Sequence, residues 1–262
     1  MALSQRKRDQ ASQISERFQK EITLAKHSPG IIFENDDFVA INKPAGLLTI
    51  PDREQTEKSL KEFLIDKYGK IFTVHRLDKD TSGLVIFAKT EEAHKFFSRL
   101  FEERKIEKFY LGIVLGKPEE TTGLIDAPIS EHPLHKGLMN VHRNGKPSQT
   151  SYEVLDANKH YSLVSFQLHT GRTHQIRVHA KNIGHPLAGD PLYGDGKTVL
   201  LSSIKKKFKL SKHDEVERPI INRLALHSYK LIFDNMQGER TELVAEMPKE
   251  FRALMHQLKK LK

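Results

Sequence analysis

Cysteine is absent from this sequence of 262 residues. Its absence excludes disulfide scaffolds, cysteine-ligated zinc sites, iron–sulfur clusters and thiol nucleophiles. The sequence also lacks any apolar run near the ~18 residues that a membrane-spanning helix needs. No apolar signal core follows the basic N-terminal residues. We therefore expect a soluble, cytoplasmic protein with no membrane association.

Acidic residues are the minority among the charged ones, since 34 Asp and Glu face 43 Lys and Arg, a net charge of +9. Such an excess suits phosphate-rich partners, because binding them releases counterions, although many basic proteins bind no polyanion. Hydrophobic residues at 37% supply material for a core and exclude wholesale disorder. The length fits one large domain or two small ones.

The chain changes character at Gly30. Before it, Ile14, Phe18 and Ile22 recur at helical spacing, and Ser28-Pro29-Gly30 would end a helix. Residues 1–30 are therefore predicted to form an amphipathic helical arm. Residues 31–262 contain no obvious linker and no internal repeat, and we expect them to form one domain.

Short β-rich runs and isolated amphipathic segments follow the arm. The runs predict strands at 31–33, 38–41, 72–74, 84–88, 109–115, 149–155, 162–168 and 230–233. The segments predict helices at 59–68, 90–103, 173–182 and 251–261. Because no regular βαβα alternation is present, the pattern favours an α+β fold with a mostly antiparallel mixed sheet and flanking helices.

The strongest local signal is the stretch from His75 to Gly83, where a carboxylate precedes small turn-forming residues. Its spacing copies half of an EF-hand loop, but Lys89 occupies the twelfth position, where calcium needs Glu. A kinase loop is excluded because no glycine-rich phosphate loop and no Asp-Phe-Gly accompany it. Two interpretations remain: a catalytic Asp78 acting on a sugar carbon without a metal, or a turn in which Asp78 and Ser82 bond backbone N–H groups.

Six elements stand in a fixed order between residues 31 and 250. They are Asn42-Lys43-Pro44-Ala45-Gly46, His75-Arg76-Leu77-Asp78 with Thr81-Ser82-Gly83, Lys108-Phe109-Tyr110, Gly171-Arg172-Thr173-His174-Gln175-Ile176-Arg177, Gly189-Asp190 with Tyr193-Gly194, and Leu226-His227. Together they resemble the motifs of RNA pseudouridine synthases of the RluA type. The resemblance implies a fold with a central catalytic cleft and an isomerase that converts uridine to pseudouridine in structured ribosomal or transfer RNA.

The resemblance also implies roles for individual residues. Asp78 would act at C1′ of the target uridine, as nucleophile or as base, with Arg177 paired to it and Tyr110 stacked on the base. Arg76 would enter the RNA in place of the flipped base. Further RNA contacts are expected from Lys43, His75, Arg172 and His174, and support of the active-site loop from Asn42, Pro44, Gly46, Thr81, Ser82, Gly83 and Leu226.

No cofactor and no metal are expected, since breaking C1′–N1 and rejoining through C5 is neither hydrolysis nor redox chemistry. His169, His174 and His179 are spaced by five, which gathers them on no single face of a helix or strand. A monomer is expected, with no small RNA-binding domain ahead of the catalytic region. RNA selection would then rest on the domain body, the arm and the basic insertion Lys205–Lys209.

Two other functions stay open at this level. A nucleoside or glycoside hydrolase would act at the same carbon, but usually with two carboxylates, the second being Asp80. It would release free base. A non-catalytic RNA-binding or ribosome-assembly protein would use the loop around Asp78 only to position phosphates.

Overall fold

A computed structural model describes residues 29–54, 57–205, 208–210 and 216–260. The predicted arm lies outside the described residues apart from Pro29 and Gly30, and the basic insertion Lys205–Lys209 is described only in part. None of the helices in the described ranges is long and apolar enough to cross a bilayer.

Strands dominate the described part of the chain. They are β1 (Gly30–Glu34), β2 (Phe38–Lys43), β3 (Phe72–Thr73), β4 (Ser82–Ala88), β5 (Glu107–Leu115), β6 (Thr122–Asp126), β7 (Ile129–Glu131), β8 (Met139–Val141), β9 (Gln149–Ala157), β10 (Tyr161–Leu168), β11 (Leu226–Asp234) and β12 (Arg240–Val244). The helices are α1 (Leu60–Tyr68), α2 (Glu91–Glu102), α3 (Gln175–Asn182) and α4 (Lys249–Lys259).

One large sheet runs in the order β1-β2-β4-β11-β5-β10-β9-β6, with β3 on β4, β12 on β11, and β7–β8 as a separate hairpin. Neighbouring strands pair antiparallel except β4 and β11, which pair parallel through Ser82–His227 and Gly83–Ser228. The α+β class with a mostly antiparallel sheet is thus confirmed. The parallel pair joins segments that are 145 residues apart, and it brings the start of β4 beside β11.

Both faces of the sheet are buried at β2 and β4. Alternate residues of a strand point to opposite faces, and nearly every residue of these two strands is buried. On one side Ile41 and Val85 pack with Leu60 of α1 and Ile176 of α3. On the other side lie Ala40, Ile86 and the residues of α2, including Phe97, while α4 packs under β5 and β10. Tyr110 belongs to the first side. The same side therefore carries α3 and the functional site.

Local signals account for the predicted helix starts. The Ser59 hydroxyl accepts from the Glu62 N–H, and the Glu62 carboxylate accepts from the Ser59 N–H, which makes a capping box. Thr90 Oγ1 accepts from the Ala93 N–H at 3.2 Å and caps the N-terminus of α2. Strands β6, β7, β8 and β12 were not predicted. They are three to five residues long and contain few buried residues, so they are too short to show the apolar alternation that marks a half-buried strand.

Candidate active site

A cavity of about 160 Å³ opens where four segments of the chain converge. Its walls are the loop before β4, the middle of β5, the loop and first turn of α3, and the start of β11. The lining residues are Arg76, Leu77, Asp78, Thr81, Tyr110, Leu168, Gly171, Arg172, Thr173, His174, Gln175, Ile176, Arg177 and Leu226. Most of the predicted chemistry-bearing residues are therefore brought to one place.

Backbone hydrogen bonds hold the loop that carries Asp78. The Thr81 N–H donates to the Asp78 carbonyl at 3.1 Å, and the Gly46 N–H donates to the Lys79 carbonyl at 2.8 Å. Gly46 has φ +83°, a left-handed conformation that suits glycine. These bonds leave the Asp78 carboxylate free to face the cavity, where it retains 28% exposure.

Lys43 supports this loop from inside the protein. Its ammonium donates to the carbonyls of Pro44, Leu47 and Lys79 at 3.0, 2.7 and 2.9 Å, and the residue has no exposed surface. Burial lowers the pKa of Lys43 to about 7, although the negative charges of Asp80 and Asp78 raise it in part. The expected role of Lys43 as an RNA contact is incompatible with this burial, because all three of its donors are satisfied by the protein.

The start of β4 is locked to β11. Ser82 Oγ lies 2.9 Å from His227 Nδ1, and Gly83 has φ +109°. A Cβ on Gly83 would lie 2.2 Å from the Ser228 carbonyl oxygen, so only glycine permits the parallel strands to approach this closely. The predicted supporting residues Thr81, Ser82, Gly83 and Leu226 thus sit at this junction, while Asn42 pairs with Leu84 at the end of β2.

Tyr110 presents its phenol to the cavity from the centre of the sheet. Burial raises the pKa of Tyr110 to about 12; the nearby Ser228 opposes this shift, and the charge of Asp78 adds to it. The phenol therefore stays protonated near neutral pH and can donate a hydrogen bond. The residue is 9% exposed and lines the cavity, so its ring is in reach of a planar group bound there.

Arg177 makes a different ion pair from the one expected. Its Nε and NH2 donate to the two carboxylate oxygens of Asp190 at 2.8 and 2.7 Å, and the two side chains are 4% and 0% exposed. The expected pair with Asp78 is replaced, because two fully desolvated groups bind each other bidentately in preference to a half-exposed partner. Asp78 and Arg177 still line the same cavity and attract each other electrostatically.

His174 approaches Asp78 most closely among the basic side chains of the described ranges. Its Nε2 lies 3.9 Å from Asp78 Oδ2, and its Nδ1 lies 2.8 Å from the Tyr193 hydroxyl. The residue has φ +56° and precedes α3 without capping it. Burial lowers the pKa of His174, with Asp78 opposing and Arg177 reinforcing the shift.

Arg76, Arg172 and His75 differ in where they point. Arg76 is exposed and lines the cavity. Arg172 lines it too, with Nε donating to the Pro147 carbonyl at 3.3 Å. His75 is not among the lining residues: its Nε2 accepts from the Ile86 N–H at 2.9 Å, and its ring stacks on Phe101 at 4.3 Å. Burial lowers the pKa of His75 to about 3, so the imidazole is a neutral acceptor within the fold, and its RNA contact stays a prediction.

Three residues of the site carried no predicted role, although the motifs contained them. Asp190 pairs with Arg177, and Tyr193 holds His174. The Gln175 amide is fully used: it accepts from Thr170 Oγ1 and the Arg172 N–H, and donates to the Gln149 carbonyl and Thr150 Oγ1, all within 2.9 Å. The polar residues of Arg172–Arg177 and Asp190–Tyr193 were the available signal. Spacing alone does not reveal their partners, because Arg177 and Asp190 are 13 residues apart and His174 and Tyr193 are 19 residues apart.

The three evenly spaced histidines have separate partners. His169 Nε2 meets Ser151 Oγ at 2.7 Å, and His179 lies between Thr150 Oγ1 and the Ala127 carbonyl at 2.9 Å each. In the described ranges no group of three or more His, Cys, Asp or Glu side chains is arranged to hold a metal ion. Asp80, the possible second carboxylate of a hydrolase, is exposed and does not line the cavity.

The family model for RNA pseudouridylate synthases matches residues 37–182. Ribosomal large subunit pseudouridine synthase D of Nitrosomonas europaea is 46% identical over 170 residues, 63% of this chain and 49% of that protein. The Haemophilus influenzae protein of the same name is 36% identical over 236 residues, 87% of this chain and 70% of that protein. Human RNA pseudouridylate synthase domain containing 4 superposes with a TM-score of 0.71 at 26% identity, covering 93% of this chain and 98% of that one.

The matched part spans about half the length of the Nitrosomonas protein. Arg76, Asp78, Tyr110, His174 and Arg177 all fall inside the residues that the family model covers. The resemblance inferred from the motifs is confirmed by a similarity that extends over most of the chain and over its fold. The chain belongs to the RNA pseudouridylate synthase family.

Proposed function

We propose that this protein isomerises uridine to pseudouridine in RNA, with Asp78 as the group that acts at C1′ of the target nucleotide. The observation that carries the proposal is the isolation of one carboxylate. Among the described residues that line the cavity, Asp78 is the one Asp or Glu. Asp190 is fully buried in its ion pair with Arg177, and Asp80 is exposed to solvent.

A single carboxylate favours isomerisation over hydrolysis. Hydrolases at a sugar carbon usually need a second carboxylate to protonate the leaving group or to activate water. In isomerisation the base leaves C1′ through N1, turns, and rejoins the same carbon through C5; the proton of C5 is lost and N1 gains one. Asp78 would serve either by bonding to C1′ or by removing a sugar proton, and the geometry supports both routes equally.

The neighbours of Asp78 suit a flipped pyrimidine. Tyr110 lines the cavity with an aromatic ring and a hydroxyl that remains protonated, and the exposed guanidinium of Arg76 lines the cavity as well. A base must leave its stack before its sugar can be attacked. Arg76 would fill the space that the base leaves, since a guanidinium both stacks and hydrogen-bonds.

Large-subunit ribosomal RNA is the substrate that we propose. The names of the Nitrosomonas and Haemophilus relatives support it, at 46% and 36% identity. The net charge of +9 suits any RNA and does not discriminate. The direct test is to map pseudouridines in ribosomal and transfer RNA from cells with and without the gene. Sites lost only from transfer RNA would contradict the ribosomal assignment.

Asp78→Asn tests the chemical proposal, with Asp80→Asn as the matched control two residues away. We expect Asp78→Asn to lower the single-turnover rate of pseudouridine formation by more than about 10³-fold. RNA affinity should change only a few-fold, because phosphate contacts dominate it. Asp80→Asn should retain near-normal activity. Release of free uracil by the wild type would identify a hydrolase, and an active Asp78→Asn would refute the assignment of Asp78.

A further inference from the structure

We propose that Tyr193 and His174 form a hydrogen-bonded relay that holds an imidazole N–H toward the carboxylate of Asp78, which makes both of them positioning residues for the reaction. The inference rests on the proposed function of Asp78. None of the expected roles included Tyr193.

The direction of each hydrogen bond follows from the donors available. The Met139 N–H donates to the Tyr193 hydroxyl oxygen at 2.9 Å. The phenol keeps its own proton, which lies toward His174 Nδ1 at 2.8 Å. A phenol accepts and donates at once, whereas a neutral imidazole has one donor and one acceptor nitrogen. Nδ1 is therefore the acceptor, and the ring proton resides on Nε2.

The protonated nitrogen is the one that faces Asp78. His174 Nε2 lies 3.9 Å from Asp78 Oδ2, slightly beyond hydrogen-bond range. Hydrogen bonds in catalytic sites often shorten when substrate binds, and the Asp78 side chain retains 28% exposure in the cavity. Burial keeps the pKa of His174 below its usual value, so the neutral ring, whose tautomer matters, is the form present near pH 7.

His174 is the basic group placed closest to Asp78. Of the three basic side chains whose pKa responds to the charge of Asp78, Lys43 gives its donors to three carbonyls and Arg177 is held in its bidentate pair with Asp190. The third is His174, whose Nε2 lies 3.9 Å from Asp78 Oδ2.

The relay is also rigid. Tyr193 is 4% exposed and packs with Ile129 and Val178. Its N–H donates to Asp190 at 3.1 Å, and the Arg177 guanidinium lies 4.9 Å from its ring centre. His174 adopts left-handed φ and ψ of +56° and +20°, an uncommon conformation for a residue other than glycine that marks functional positions. The β7–β8 hairpin, through Met139, anchors the far end.

Tyr193→Phe is the first test, because it removes the hydroxyl and leaves the ring under Arg177. We expect the single-turnover rate to fall about tenfold or more while the dissociation constant for RNA stays within about twofold. Tyr161→Phe is the matched control, since Tyr161 is a partly buried tyrosine of β10 that does not line the cavity. Equal rates for Tyr193→Phe and the wild type would overturn the proposal.

The tautomer of His174 gives a readout that needs no RNA. Long-range ¹H–¹⁵N spectra of histidine-labelled protein should show Nε2 protonated and Nδ1 bare in the wild type, with His174→Gln identifying the signal. Tyr193→Phe should shift His174 toward a mixture of tautomers. Protonated Nδ1 in the wild type, or no change in Tyr193→Phe, contradicts the relay. Because this measurement is independent of turnover, it stands even if no pseudouridine is formed.

A second pair of variants covers the case in which Tyr193→Phe fails to fold. The amide of Gln reaches the position of Nε2, whereas the amide of Asn reaches that of Nδ1. His174→Gln should therefore be at least tenfold faster than His174→Asn in single turnover. Stability alone predicts the reverse order, since Asn tolerates the left-handed conformation better. Equal rates, or a faster Asn variant, would refute the positioning role.

Discussion

Arg177 and Asp190 face each other across the wall of the cavity as a buried bidentate pair, with both contacts under 2.9 Å. Burial alone would raise the pKa of Asp190, but the hydrogen bonds and charge of Arg177 lower it overall. Asp190 also accepts from the N–H groups of Leu192 and Tyr193. One carboxylate thereby fixes α3, the Tyr193 turn and the guanidinium beside Asp78.

Asp190→Asn should be strongly destabilising, because it leaves the buried Arg177 charge unpaired. We expect a loss of about 3–5 kcal/mol in the free energy of unfolding, measured by urea denaturation. Asp195→Asn in the same turn is the control: Asp195 is exposed, and its loss should cost less than about 1 kcal/mol. Similar losses for the two variants would show that the pair contributes no special stability.

Arg76→Ala should separate base flipping from chemistry. Unstacking a base costs a few kcal/mol, least where the base is already unpaired. The variant should react at least about tenfold more slowly on a structured stem–loop, with a smaller loss on a short flexible RNA carrying the same uridine. Single-turnover rates on both RNAs are the measurement. Lys79→Ala removes a charge from the same loop as the control; equal fractional losses for Arg76→Ala on both RNAs would exclude gap filling.

Gly83→Ala should disrupt the junction of β4 and β11. Its Cβ would lie 2.2 Å from the Ser228 carbonyl oxygen, at a φ of +109°, and the strands would have to part. We expect a loss above about 3 kcal/mol, or failure to fold. Gly30→Ala in β1 is the control, since its Cβ would meet only the Asn42 side chain at 4.0 Å. A Gly83→Ala protein with wild-type stability would contradict the close approach.

His227 should make stability fall on acidification. Burial lowers the pKa of His227 to about 4, whereas the unfolded chain titrates near 6.5. Between these values the unfolded state binds more protons, so stability falls as pH drops below about 6.5, by about 2 kcal/mol at pH 5. His227→Gln should be less stable at pH 7 but lose about 2 kcal/mol less on reaching pH 5. Exposed His256→Gln serves as the control, and parallel curves for His227→Gln and wild type would refute the linkage.

The sequence by itself determined the local features of this protein. Ser59 and Thr90 cap helices through bonds that span three residues, so their positions could be predicted from spacing alone. The turn-forming residues after Asp78 placed that carboxylate in a loop for the same reason. The order of six short elements was enough to identify the family, because each element carries its own residue types irrespective of how the sheet pairs.

Only the tertiary structure decided which side chains meet. Lys43 was expected to contact RNA, yet three carbonyls from two loops surround its buried ammonium group. Arg177 was expected to pair with Asp78, yet it forms its ion pair with the fully buried Asp190. Tyr193 and His174 are 19 residues apart, and nothing in their spacing indicates a hydrogen bond. In each case a buried polar or charged group needs a partner. Which partner it meets is decided by non-local packing and is not encoded in any local pattern.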